Sequence, residues 1–315
     1  MDAYPLKSVP VFKQRIWGGR RLAEVFGKDL PPDQRIGESW EIADLPEGQS
    51  RIANGPFAGQ TLGDVVRRNT EALTGARDFP PQFPLLVKLL DAQEVLSVQV
   101  HPDPETCRRM GRGDPKTECW YVIQAEPGAV IYKGFKKGVT RERFARAIED
   151  GTAADLLAAV AVRPGECHFI PAGTVHSLGA GLLIAEVQTP SDTTYRVFDW
   201  NRVDDSGRPR PLHIAEALES IHFDVTPDKL PVTTVGRLVD CAYFRVDKGH
   251  QARGGEMLLD RRCLRVLIFL TGGGTILSSK VEPVPFQAGD CLLIPATFEG
   301  AVSFAQDTEY LTVTI

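Results

Sequence analysis

The chain has 315 residues, 43% hydrophobic and 24% charged, with a formal net charge of −5 and a pI of about 5.8. That length allows one large or two modest domains with real cores, and the composition is ordinary for a soluble globular protein. No basic region accumulates as nucleic-acid binding requires, and no stretch reaches the roughly 18 apolar residues of a membrane helix, so neither partner is expected.

In chain order, MDAYPLKSVPVFKQRIWGG lacks the apolar core of a signal peptide. A helix is expected over 61–75 (TLGDVVRRNTEALTG), with Thr61 as N-cap and Gly75 as terminator. Strands follow at 84–90 (PLLVKLL), where Lys88 interrupts an apolar run, and at 95–101. Within LSVQVHPD, Leu96, Val98 and Val100 alternate with Ser97, Gln99 and His101. If that polar face points inward, its three groups must be hydrogen-bonded or bind something, because each one buried unpaired costs roughly 2–7 kcal/mol. The strand in KTECWYV puts Lys116, Glu118 and Trp120 on one face, again unusual core contents, and another strand is expected at 129–133.

RERFARAIEDG (141–151) and AADLLAAVAV (153–162) read as a helix pair, giving helical insertions at about 61–75 and 141–162. In IPAGTVHSLG, Pro171 fixes the backbone, Gly173 tolerates a turn that other residues resist, and His176 falls at a strand mouth. Glu186 interrupts the strand LLIAEVQ (182–188), and Asp192 and Arg196 lie just beyond it. A short helix is read at 212–221 between the turn-rich segments 201–211 and 223–232, and a domain boundary is placed near 225. Further strands are expected at 264–270 and 291–294.

Gly165, five residues and Pro171 recur as Gly289, five residues and Pro295, with Thr297 and Gly300 where Gly173 and His176 stood. Strand-like runs dominate, so the class is mostly β, in a sandwich or barrel architecture with inserted helices. The repeat suggests two units of one kind, the second without its histidine. Six cysteines lie at 107, 119, 167, 241, 263 and 291, never closer than twelve apart, which reads as reduced thiols filling a core in a cytoplasmic protein.

Two imidazoles, a carboxylate and an amide oxygen make a reasonable shell for a divalent ion such as Zn²⁺, Fe²⁺, Mn²⁺ or Co²⁺. A single histidine is ordinarily a hydrogen-bonded core or surface residue, and His168, His213, His222 and His250 carry no motif position.

The segments RIWGG (15–19), GESWEIAD (37–44), PLLVKLLDAQEVLSVQVHPD (84–103), KTECWYV (116–122), IPAGTVHSLG (170–179) and EVQTPSDTTYRVFDW (186–200) together resemble type I mannose-6-phosphate isomerase in its short bacterial form. The resemblance implies two cupin-type jelly-roll barrels: residues 1–224 as the catalytic unit and 225–315 as a degenerate one with a structural or interface role. It implies interconversion of mannose 6-phosphate and fructose 6-phosphate through a cis-enediol(ate). One Zn²⁺ per chain would be held in the N-terminal barrel by Gln99, His101, Glu118 and His176. Arg196, Lys116 and Glu186 would be catalytic, with Ser97 and Lys88 binding substrate. The implied partner is a phosphorylated sugar, and the chain is expected as a monomer or homodimer. Where longer members carry KPE, this chain has Lys116-Thr117-Glu118, and it lacks their larger helical insertion. Two other classes are weighed: a non-haem iron cupin oxygenase, for which two histidines and a carboxylate would also serve, and a non-catalytic sugar-binding cupin.

Overall fold

Alternation of apolar and polar residues builds this molecule from antiparallel strands, and a computed structural model describes residues 3–203, 207–224, 235–261 and 263–315. The boundary expected near 225 falls outside the described residues. Four main sheets stack in layers. A five-stranded sheet, centred on His176–Leu178 and Val98–Val100, faces a six-stranded one containing Ile36–Ile42, Leu86–Ala92, Glu118–Ala125 and Leu182–Gln188. Between them lies a core that includes Leu90, Trp120, Val122, Ile131, Leu178 and Ile184. The back of the six-stranded sheet packs on a seven-stranded sheet, whose far face covers a four-stranded sheet over a second core rich in phenylalanine. The expected mostly β class is therefore observed, with the four main sheets lying as two pairs set back to back.

The chain does not divide cleanly by sequence. Leu6–Val9 leaves the N-terminal half to pair with Cys291–Ile294 of the seven-stranded sheet, and Arg51–Ile52 extends it as the outermost strand. The outer face of the five-stranded sheet is covered by the helices Arg141–Glu149 and Ile214–Ser220 through Phe144, Ala147, Ile148 and Ala217. Val98 and Val100 point into that layer. Their alternates Ser97, Gln99 and His101 therefore face the interior of the sheet pair.

Three helical expectations change. The 61–75 stretch begins at Thr61, whose hydroxyl accepts from the Asp64 N–H, and ends at Gly75 in the left-handed region, but it breaks at Asn69 into Leu62–Arg68 and Thr70–Thr74. Asn69 leaves helical geometry and turns its amide back to the Val65 carbonyl, the competition that makes asparagine a helix terminator. The second half of the expected pair at 153–162 is only a 3₁₀ turn, Ala153–Leu156, followed by the strand Leu157–Ala161. Alanine-rich composition favours a helix, but the edge of Val130–Phe135 offers a hydrogen-bond ladder, interrupted only by a shift between Tyr132 and Phe135, and pairing with that edge overrides local propensity. The third helix is shorter than 212–221. A helix not anticipated, Pro104–Met110, starts at Asp103, whose carboxylate accepts from the Thr106 N–H, with Pro104 in the first turn.

Candidate active site

Two rows of side chains face one another inside the N-terminal sheet pair. On the five-stranded sheet, Gln99 pairs in register with His176 on one side and Arg196 on the other, so three adjacent strands present Arg196, Gln99 and His176 in line. On the six-stranded sheet, Glu186 pairs with Lys88 on one side and Trp120 on the other, and Lys88 with Trp40. Cross-strand pairing thus brings together residues far apart in sequence. Glu118 starts its strand opposite Gln188, at the end nearest the histidines.

His101, Glu118 and His176 meet at the floor of this space, their ligand atoms all within 4.8 Å of one another and each residue essentially without solvent access. The Nε2 atoms of His101 and His176 each lie 3.4 Å from an oxygen of Glu118. On the opposite side of each ring, Nδ1 lies 2.8 Å from a backbone carbonyl, Thr193 O for His101 and Thr174 O for His176. A carbonyl can only accept, so Nδ1 carries the hydrogen and Nε2 presents a bare lone pair. Burial and then Lys116 lower the His101 pKa to about 3, and burial lowers that of His176, so neither ring takes a second proton near neutrality. Burial pushes the Glu118 carboxyl up, yet the Lys116 ammonium at 3.0 Å holds it well below the ordinary value. Two lone pairs aimed at an ionised carboxylate repel unless a cation lies between them. Consistent with that need, His101 Nε2 and Glu118 Oε1 have no hydrogen-bond partner among the described residues. The donor set and its backbone-anchored rings fit a divalent metal.

Gln99 stands beside this trio. Its amide nitrogen is 3.3 Å from His176 Nε2, and its oxygen accepts from the Ser97 hydroxyl at 3.2 Å. Ligation through oxygen requires the amide to turn over about its last torsion, which would present its NH2 group to Ser97 Oγ instead. Gly173 explains how His176 reaches its place: it sits at φ +85° with the His222 ring where a Cβ would lie, and its N–H donates to the His101 carbonyl, tying the turn to the other ligand.

Above the floor opens a cavity of about 480 Å³, lined among others by Arg15, Glu38, Lys88, Ser97, Gln99, Lys116, Glu186, Asp192, Arg196 and Arg210. Lys88 is buried and lies 3.0 Å from Glu186 and 3.9 Å from Glu38; burial opposes its charge, but those carboxylates hold its pKa above the usual lysine value. Burial pushes the Glu186 carboxyl up, more than Lys88 and Lys116 lower it. Trp120 donates to Glu186 at 2.9 Å and Trp40 to Glu38 at 2.6 Å, so both carboxylates are pinned from behind. Arg196 donates to Ser97 Oγ at 3.1 Å and to the Pro211 carbonyl at 3.0 Å.

All of the residues singled out from the sequence thus gather at one site: His101, Glu118 and His176 at its floor, with Gln99, Lys116, Glu186, Lys88, Ser97 and Arg196 around the cavity. His168 turns aside to Glu166, and His222 pairs with Asp103. His213 accepts from the Arg196 backbone N–H and so touches the wall only indirectly. Three charged lining residues were not singled out. Glu38 carried the same signal as Glu118, a carboxylate at an inward position of a strand, and Arg15 lies in RIWGG, whereas nothing local marks Arg210 in the turn-rich run NRVDDSGRPRP.

Comparison with known proteins supplies the remaining findings. Residues 6–128 match the family model for phosphomannose isomerase type I, catalytic domain. Mannose-6-phosphate isomerase ManA of Bacillus subtilis is 39% identical over 308 residues, covering 94% of either chain. The crystal structure of the mannose 6-phosphate isomerase from Bacillus subtilis matches with a TM-score of 0.89 at 31% identity, over 99% of both chains. A more distant solved structure, a mannose 6-phosphate isomerase described as holo and zinc bound, shares the fold with a TM-score of 0.77 at 18% identity, again over 99% of each chain.

Proposed function

Because the chain belongs to the type I phosphomannose isomerase family, we propose that it interconverts mannose 6-phosphate and fructose 6-phosphate at the cavity described above. The observation that carries this reading is a three-residue cation site at the floor of a cavity walled by arginine and lysine. A facial triad for oxygen chemistry would have no use for those cations, and a phosphorylated sugar has.

His101, Glu118 and His176 would hold one zinc ion per chain, with Gln99 as fourth ligand after its amide turns. Zinc there would draw electron density from the carbonyl and hydroxyl oxygens of the substrate and so acidify the C–H bond between them. The chain's own groups do the rest. Glu186, its proton affinity raised by burial, takes the C2 proton while the Lys116 ammonium gives a proton to O1, yielding the cis-enediol. Glu186 then returns its proton to C1 as Lys116 recovers one from the O2 hydroxyl, so both residues end as they began. Arg196 makes no ion pair among the described residues, and its permanent charge suits it to stabilise the developing oxyanion. Ser97 accepts from Arg196 Nε and fixes its aim, while Lys88 keeps Glu186 in place and reaches toward the sugar.

The same reading divides the chain near residue 225 into a catalytic unit and a companion unit, with Leu6–Val9 and Arg51–Ile52 crossing between them. A cytoplasmic setting is supported by six cysteines all present as free thiols, and a monomer or homodimer is expected. No helix among the described residues is long and apolar enough to cross a membrane.

The test is an assay that couples fructose 6-phosphate formation from mannose 6-phosphate to a dehydrogenase. Turnover should vanish on chelation and return with zinc. Absence of turnover in zinc-loaded protein would refute the reading. In deuterated water, label appearing at C1 of the ketose would support the enediol.

A further inference from the structure

The charges around the cavity do not balance, and the imbalance is local. Of its five cationic side chains, Lys88 is held between Glu186 and Glu38 and Lys116 is paired with Glu118. Three guanidinium groups remain. Arg15 comes from the edge strand of the six-stranded sheet, Val11–Gly19, and Arg196 from the edge strand of the five-stranded sheet, Tyr195–Phe198, so the open sides of the two sheets meet here. Arg15 shares Glu38, at 2.6 Å, with Lys88 and keeps its side chain 30% exposed. It also lines a neighbouring hollow with Arg202, which puts it on the solvent side of the cavity. Arg210 is oriented by a two-point contact with Asp199 at 2.7 and 2.6 Å, and Asp199 serves Arg202 as well, at 2.7 Å. Asp192 also lines the cavity and acts on Arg15 and Lys88, yet with it and Asp199 counted the guanidinium groups at the mouth still outnumber their carboxylates. Arg196 lies in the field of Arg210, Arg15 and Arg202, which Asp199 offsets only in part.

Resting on the isomerase reading, we propose that Arg15 and Arg210 bind the phosphate of the substrate at the cavity mouth and set the preference for phosphorylated over free sugars. Guanidinium forks already held by carboxylates keep their remaining N–H groups pre-aimed, which suits them to the oxygens of a phosphate dianion. Lys88 is deeper and shared by two carboxylates, which fits it to the sugar end. The two arginines act in recognition and take no part in proton transfer.

The experiment compares zinc-loaded wild type with Arg15→Gln, Arg210→Gln, Arg15→Lys and Arg210→Lys. For either glutamine variant the KM for mannose 6-phosphate should rise about 10- to 100-fold, the loss of one or two charge-assisted hydrogen bonds, with a smaller change in kcat. The ratio of kcat/KM for mannose 6-phosphate over mannose should fall by a similar factor, and competitive inhibition by inorganic phosphate should weaken in step. The lysine variants should fall between. An unchanged KM and unchanged phosphate inhibition would overturn the proposal, as would equal losses on both sugars, the pattern of a merely distorted wall. If wild type failed to turn over mannose 6-phosphate, the isomerase reading would fall alone. Protection of the protein from thermal unfolding by inorganic phosphate, present in wild type and lost in the glutamine variants, would still decide the clamp.

Discussion

Strand pairing aligns the two sheet pairs residue by residue. In the N-terminal pair Ile170 lies opposite Glu118 and His168 opposite Trp120; in the C-terminal pair Ile294 lies opposite Arg265 and Leu292 opposite Leu267. Continuing across each sheet, Glu186 corresponds to Thr312, and its neighbour Lys88 to Asp247. The repeated glycines Gly165 and Gly289 both adopt positive φ, 92° and 86°, and the position of His176 is taken by Gly300. At Gly300 a Cβ would come within 2.2 Å of the Leu277 carbonyl, so no side chain, and no imidazole, fits there on the present backbone. Arg265 is occupied with Asp260 and the Cys263 carbonyl.

The consequence is two interiors of opposite kinds on one plan. The C-terminal one is filled by Phe269, Phe286, Phe298, Phe304 and Tyr310, with Phe269 stacked on Phe286 at 3.7 Å between ring centres. The N-terminal one joins an apolar part around Leu90, Val122 and Ile184 to a part that holds buried charge, which is costly without partners. The phenylalanine-rich interior can contribute only packing, whereas the charged part of the other offers groups for chemistry. The seam between them serves both, because the seven-stranded sheet packs directly on the back of the strands that carry Glu118, Lys88 and Glu186.

The sharpest way to break this comparison is at its most different pair of positions. His176→Ala should remove bound metal, measured by elemental analysis, and lower turnover by at least about 1,000-fold. Arg265→Ala, the register equivalent of Glu118, should leave metal content unchanged. A His176 variant that kept one metal per chain would disprove the ligand set.

Next in size, Arg196→Ala should lower kcat by about 100- to 1,000-fold while metal content stays at the wild-type level, as expected for loss of a preorganised donor to a developing oxyanion. A rise in KM with near-normal kcat would move Arg196 out of the chemistry and into substrate binding.

Much of this architecture could be read in advance, for reasons the residues make clear. Glu118, His101 and Lys116 stood out because polar groups at alternate positions of an otherwise apolar strand have few uses. Asp103 had a second use that went unread, as the cap of Pro104–Met110. Leu157–Ala161 was misread because local propensity carries no information about a vacant sheet edge thirty residues upstream, and its burial alternates only once that edge exists. Arg210 was invisible for a related reason. Its significance depends on Asp199 and on the meeting of two sheet edges, neither of which leaves a spacing in the chain.

A third test compares the cost of disturbing the second interior. Phe269→Ala should destabilise the protein by about 3–5 kcal/mol, the range for deleting a buried aromatic ring, measured by denaturant unfolding. Turnover per folded molecule and metal content should hold at wild-type values. A fall in kcat without loss of folded protein would mean that the companion unit shapes the cavity and does more than support it.

The smallest effect concerns acid. Burial alone would raise the Glu38 carboxyl, but Lys88, Arg15 and the Trp40 N–H lower its pKa to about 2 from an ordinary value of 4.5. A carboxyl with a depressed folded-state pKa contributes stability that is fully present above its unfolded value and is lost as pH falls through the folded one. The window is thus roughly pH 4.5 down to 2, and a shift of that size corresponds to about 3 kcal/mol. In metal-free protein, wild type should lose this amount across the window. Glu38→Gln should begin lower at neutral pH and show a shallower acid slope, so that the two curves converge near pH 2. Parallel curves would mean that Glu38 gains nothing from its cationic neighbours, and the cavity wall would then owe its stability to packing, like the interior on the other side of the seam.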